Sequence, residues 1–156
     1  MRILIDANVL LDVALARPGL HEASEAALSQ CGRDDHQAFI AWHTLSNVYY
    51  ILRSQADDER AMAFLSDLLE WVQIAAVEHA DALRAFGYGM RDFEDALQVS
   101  SAEACLADVI LTRNSADFRR SPISACTPEE FLVEFARHEA PPDDQDAGHN
   151  DPPSSE

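Results

Sequence analysis

The chain has 156 residues, 47% of them apolar, with 11 Arg, no Lys and 28 acids, for a formal net charge of −17. One domain with a core of ordinary size accounts for that length and composition. The absence of lysine excludes Schiff-base catalysis and a Walker-type phosphate loop, and the scarcity of positive charge argues against a broad basic face for nucleic acid.

Met1-Arg2-Ile3-Leu4-Ile5-Asp6 lacks the apolar stretch and cleavage site of a signal peptide. No segment approaches the roughly 20 apolar residues of a membrane span, so a cytoplasmic protein is expected. Ile3-Leu4-Ile5 is a continuous apolar run and reads as a buried strand. Asn8 to Ala16 has helical spacing and stops near Pro18-Gly19, and Leu20 to Cys31 is an amphipathic helix ended by Gly32. Ala38 to Trp42 reads as a second strand and Thr44 to Arg53 as a helix. Asp57 to Trp71 is a further helix with Met62, Leu65, Leu68 and Leu69 inside. Val72 to Val77 is a third strand and Ala80 to Phe86 a short helix. Asp92 has the character of an N-cap for a helix over Phe93 to Leu106. Asp108 to Thr112 is a fourth strand, and Ile123 to Cys126 is a candidate fifth. Thr127-Pro128-Glu129-Glu130 is a capping box with Pro at the first helical position, opening a last helix to Arg137.

From His138 the chain has no aromatic or branched apolar residue, so residues 138–156 read as a disordered acidic tail after a domain of residues 1–137. Six of the 28 acids and no Arg lie from Glu139 onward, which leaves 11 Arg against 22 acids, a charge of −11, on residues 1–138. The excess charge therefore belongs mainly to the fold. Cys31, Cys105 and Cys126 are odd in number, without CxxC spacing or clustered His, and read as reduced structural thiols.

Short apolar strands alternating with helices imply a parallel sheet covered on both faces, with ligands outside the carboxyl ends of the strands. Polar residues just after a strand are thus the ones to question. Asp6 ends the first strand and either caps the next helix or presents an acid at the rim, with Asn8 and Asp12 following. Thr112-Arg113-Asn114-Ser115-Ala116-Asp117 follows the fourth strand, as a turn or as a second polar group at that rim. Asp92, Glu94 and Asp95 open a helix, where negative charge suits the helix end. Asp95 shares a face with Gln98 and Val99, which makes it a better ligand candidate than Glu94. Carboxylates converging without lysine repel one another, and a divalent, oxygen-loving cation resolves that repulsion. Such a site activates water and stabilises the charge of a phosphodiester under hydrolysis.

The order and spacing of Ile3 to Asp12, Asp92 to Gln98, Ile110 to Phe118 and Thr127 to Leu132 resemble a PIN domain, specifically the VapC-like toxins of bacterial toxin–antitoxin pairs, over about residues 1–135. The resemblance implies a three-layer α/β/α sandwich whose central parallel sheet has four to five strands, the first and fourth being neighbours. It implies Mg²⁺- or Mn²⁺-dependent endoribonuclease activity on RNA such as tRNA, a homodimer, and a cognate antitoxin that neutralises the enzyme. By the match, Asp6, Asp95 and Asp117 are the catalytic, metal-binding acids, with Asn8, Thr112 and Asn114 as supporting polar groups.

The family usually carries Glu in the helix after the second strand, where this chain has Asn47. An amide offers oxygen to a metal or water but neither charge nor a general base. Glu94 or Asp92 is a candidate to compensate. The departure keeps a second reading open, a catalytically weakened PIN-fold module that works by binding protein partners. A phospho-receiver domain and a haloacid-type phosphatase also use rim acids, but both normally need a lysine. Tyr49, Tyr50 and Leu52 are expected in the core or a dimer contact rather than as a base-stacking platform. His43, beside Trp42 after the second strand, reads as a satisfied histidine or a proton donor. Arg113, near Arg119 and Arg120, reads either as a phosphate ligand or as a partner of the local acids.

Overall fold

The computed structural model describes residues 1–33 and 35–139. Five strands form one wholly parallel sheet in the order β3-β2-β1-β4-β5. They are β1 Arg2–Ile5, β2 Gln37–Ile40, β3 Val72–Ile74, β4 Val109–Leu111 and β5 Ser124–Cys126. Among the described residues seven α-helices cover it: α1 Ala7–Ala14, α2 His21–Cys31, α3 Trp42–Gln55, α4 Asp58–Leu68, α5 His79–Ala85, α6 Phe93–Ala104 and α7 Pro128–Glu139. This is the three-layer α/β/α sandwich expected from the sequence, with the first and fourth strands as neighbours.

The central strand explains the layering. Ile3, Leu4 and Ile5 are all fully buried, and successive side chains of a strand point to opposite faces. Ile3 and Ile5 join a core with Leu10 and Leu11 of α1, Leu28 of α2, Val48 and Leu52 of α3, Leu65 of α4 and Phe131 of α7. Leu4 joins the other core, with Phe39, Ile110, and Val99 and Ala102 of α6. One helix of the second layer, α6, thus packs directly behind β1 and β4, which sets the rim geometry.

Differences from the sequence reading fall at element ends. Trp42 opens α3 instead of closing β2, and it is 66% exposed. Asp57 caps α4 by accepting the Arg60 N–H at 2.8 Å, and α4 stops at Leu68. Met62 and Leu69, expected inside, are exposed: Met62 projects from the outer face of α4, and Leu69 lies past its last turn. The capping box at α7 forms in both directions, Thr127 N–H to Glu130 Oε2 at 2.8 Å and Glu130 N–H to Thr127 Oγ1 at 3.2 Å. Helix α7 runs to Glu139, two residues past the expected end at Arg137, and residues 140–156, where most of the expected tail falls, lie outside the described residues. Cys31 and Cys105 are buried, and burial pushes the Cys31 thiol up to about 12.

Candidate active site

Asp6 stands where β1 hands over to α1, and its backbone N–H donates to the Leu111 carbonyl of β4 at 2.9 Å. It occupies the N-cap position, yet its side chain makes no capping bond. The carboxylate instead gathers donors from three elements. Oδ1 accepts from Gln98 Nε2 of α6 at 3.1 Å, and Oδ2 accepts from Thr112 Oγ1 after β4 at 2.8 Å and from Asn8 Nδ2 of α1 at 3.4 Å. Only 7% of Asp6 is exposed, so these bonds hold a charged group in one orientation where water cannot.

Gln98 ties the rim to the next helix. Its Nε2 also donates to Thr44 Oγ1 of α3 at 3.2 Å, while its Oε1 is buried and has no partner. One turn further along the same pair of helices, Asn47 Nδ2 of α3 donates to Glu94 Oε1 of α6. Asp92 caps α6 by accepting the Glu94 N–H at 2.8 Å.

The acids feel one another without touching. Burial, then Asp92, Asp6, Asp117 and Glu94 in turn, push the Asp95 carboxyl up from 3.8 to about 6. Burial, Asp6 and Asp92 raise Glu94, against the Asn47 hydrogen bond. His43 is held below its ordinary value by burial, opposed by Asp6, and its Nε2 has no partner. Asp117 is exposed on a 3₁₀ turn, Ser115–Phe118, and Asn114 approaches the rim through its backbone N–H, 3.2 Å from Thr112 Oγ1.

The structure therefore brings Asp6, Asn8 and Thr112 into contact and joins Asn47 to Glu94. It leaves Asp92, Asp95 and Asp117 within electrostatic range but apart. Among the described residues, no three His, Cys, Asp or Glu side chains converge closely enough to hold one metal ion. The donor types are nevertheless those a hard cation uses, carboxylate oxygen and, on the residue that holds Asp6, a buried amide oxygen without a partner, and Mg²⁺ takes only one or two carboxylates and keeps several waters.

Arg113 points elsewhere. Nε donates to Asp12 Oδ2 at 2.5 Å, Nη1 to both oxygens of Glu129 at 2.6 and 2.8 Å, and Nη2 to the Leu20 carbonyl and Ser24 Oγ at 2.6 and 2.7 Å. Nε, Nη1 and Nη2 are all engaged, so of the two readings of Arg113 the observed contacts are those of a brace among the local acids. The sequence reading placed Gln98 only on the face of Asp95 and gave Thr44 no role. The i+3 spacing from Asp95 was the signal for Gln98, whereas nothing local marked Thr44.

The family model for the PIN domain matches residues 2–116. Among curated proteins no match is found. Solved structures share the fold. VapBC2 from Rickettsia felis, bound to a promoter DNA fragment, is 17% identical, with a TM-score of 0.63 over 81% of this chain and 98% of that one. A toxin–antitoxin complex from Klebsiella pneumoniae is 23% identical, with a TM-score of 0.63 over 81% and 97%. VapC20 from Mycobacterium tuberculosis, described as a sarcin–ricin loop cleaving toxin, is 13% identical, with a TM-score of 0.58 over 69% and 86%.

Proposed function

This chain belongs to the PIN-domain family, and from that premise we propose that it is a VapC-like toxin, an endoribonuclease that hydrolyses RNA phosphodiester bonds with Mg²⁺ or Mn²⁺ and is neutralised by a cognate antitoxin. The observation that carries the proposal is Asp6, a buried carboxylate fixed by Gln98, Thr112 and Asn8 at the carboxyl end of the central strand. Asp6, Asp95 and Asp117 would hold the cation, with Asn8, Asn47, Asp92, Glu94, Thr112 and Asn114 around them. Once bound, the cation would activate water and offset charge on the scissile phosphate.

The protein's own contribution is orientation. Three donors fix both oxygens of Asp6, so no reorganisation is needed when a phosphate arrives. The raised carboxyl of Asp95 marks the charge that a cation would relieve. An apolar cleft between α1, α2 and α4, lined by Val13, Leu28, Phe64, Leu68 and Trp71, supports a protein partner such as an antitoxin. Exposed Trp42 and Tyr50 on α3 support a second copy of the chain as a further partner.

The test is cleavage of tRNA and of short single-stranded RNA by purified protein in Mg²⁺, in Mn²⁺ and in EDTA. Cleavage is expected only with metal and is expected to fall by at least ~100-fold in Asp6→Asn and Asp95→Asn. The uncharged side chain of Asn47 and the lack of three converged acids among the described residues favour a second reading, a weakened module that acts through protein contacts. Folded protein that cleaves none of these RNAs yet holds a partner in the α1–α2–α4 cleft would favour that second reading.

A further inference from the structure

We propose that Glu94 is a further carboxylate of the cation site and that Asn47 is the residue that positions it. This rests on the divalent-cation reading above.

Helices α3 and α6 are joined by two polar rungs. The inner rung is Thr44 to Gln98, and Gln98 bonds Asp6. The outer rung is Asn47 to Glu94. Residues 44 and 47 are three apart on α3, and 94 and 98 are four apart on α6, so each pair shares a face at roughly 5–6 Å. The Glu94 carboxylate therefore sits about one helical turn from the amide that holds Asp6.

An exposed glutamate in a first helical turn ordinarily swings through solvent. Here a contact spanning 47 residues of sequence fixes it over the seam. The amide of Asn47 occupies Oε1, and among the described residues Oε2 of Glu94 has no hydrogen-bond partner, which leaves it available as a ligand. A carboxylate at position 47 would instead repel Glu94. Seen this way, the asparagine relocates the negative charge from α3 to α6.

A second observation, on the residue that holds Asp6, is a buried acceptor that lacks a donor. Gln98 is 1% exposed, and its Oε1 is buried without a donor. Turning the amide over would set that oxygen against Asp6 Oδ1, so the orphan acceptor cannot be relieved by rotation. A buried acceptor of this kind calls for a donor, and water in a cation's coordination shell supplies one.

The experiment is Mn²⁺ binding to the full chain without RNA, read by the electron paramagnetic resonance of free Mn²⁺, with Asp6→Asn as reference. Glu94→Gln keeps an acceptor for Asn47 and removes the charge, and it is expected to weaken Mn²⁺ binding ~10-fold. Asn47→Ala is expected to weaken it as well, and to add nothing on top of Glu94→Gln. The swapped pair Asn47→Glu with Glu94→Gln is expected to recover binding, which no loss of structure would do. Both positions lie near the surface, and circular dichroism checks the fold of each variant. Wild-type affinity in Glu94→Gln, with affinity lost in Asp6→Asn, overturns this inference alone. Mn²⁺ binding that ignores Asp6→Asn overturns it together with the cation reading.

Discussion

Asp95 bears the cost of gathering acids at one rim. Its carboxyl is raised to about 6 by burial and by Asp92, Asp6, Asp117 and Glu94. A raised carboxyl contributes stability that is fully present below its unfolded value, near 3.8, and lost as pH rises through about 6. At neutral pH without divalent cations it therefore destabilises the fold. Solvent screens the partly exposed group, so the cost is on the order of 1 kcal/mol, less than the whole shift converts to. Asp95→Asn should melt at higher temperature than the wild type in EDTA at pH 7, and the gap should close as pH falls from 6 toward 4. A variant that melts lower at pH 7 would remove this account of the rim.

Among the elements, Arg113 is the brace. From the segment after β4 it binds Asp12 of α1, Leu20 and Ser24 at α2, and Glu129 of α7. Asp12 is fully buried and keeps Arg17, at 3.2 Å, as its one ion-pair partner among the described residues, with the Ser24 hydroxyl at 2.9 Å, when Arg113 is removed. Arg113→Met should cost about 3 kcal/mol in urea unfolding, and Lys should restore little because one ammonium cannot span three elements. That brace was not legible in the sequence, whereas most of the fold was. Ile3-Leu4-Ile5 and Val109-Ile110-Leu111 announce buried strands by being apolar without interruption, a signal that needs no partner. Thr127 and Glu130 announce α7 because a capping box is local. The partners of Arg113 come from three segments, and nothing within a few residues of any of them records the meeting. The site divides the same way: Asp6 and Thr112 were legible because each follows a strand, whereas Thr44 owes its role to the crossing of α3 and α6.

At the scale of the whole molecule, residues 1–138 carry a charge of −11. Any salt screens that repulsion, so a specific cation site must be distinguished from general screening. MgCl₂ should stabilise the protein more than NaCl of the same ionic strength, by about 2.7 kcal/mol once the free cation exceeds its Kd a hundredfold. The surplus should vanish in Asp6→Asn. Equal melting in the two salts would mean that no such site exists. Among the described residues no helix is long and apolar enough to cross a membrane.

The strand order also governs when the rim comes into being. β1 lies between β2 and β4, and Asp6 takes its two strongest side-chain partners from 92 and 106 residues downstream. A ribosome adds about 5–20 residues each second, so Asp6 leaves the tunnel several seconds before Gln98 and Thr112 exist. Through that interval the nascent chain carries the acid without the groups that aim it. A truncated product ending before β4 lacks Thr112 and the strand that pairs with β1, and the proposed nuclease acquires its aimed carboxylate only late in its own synthesis.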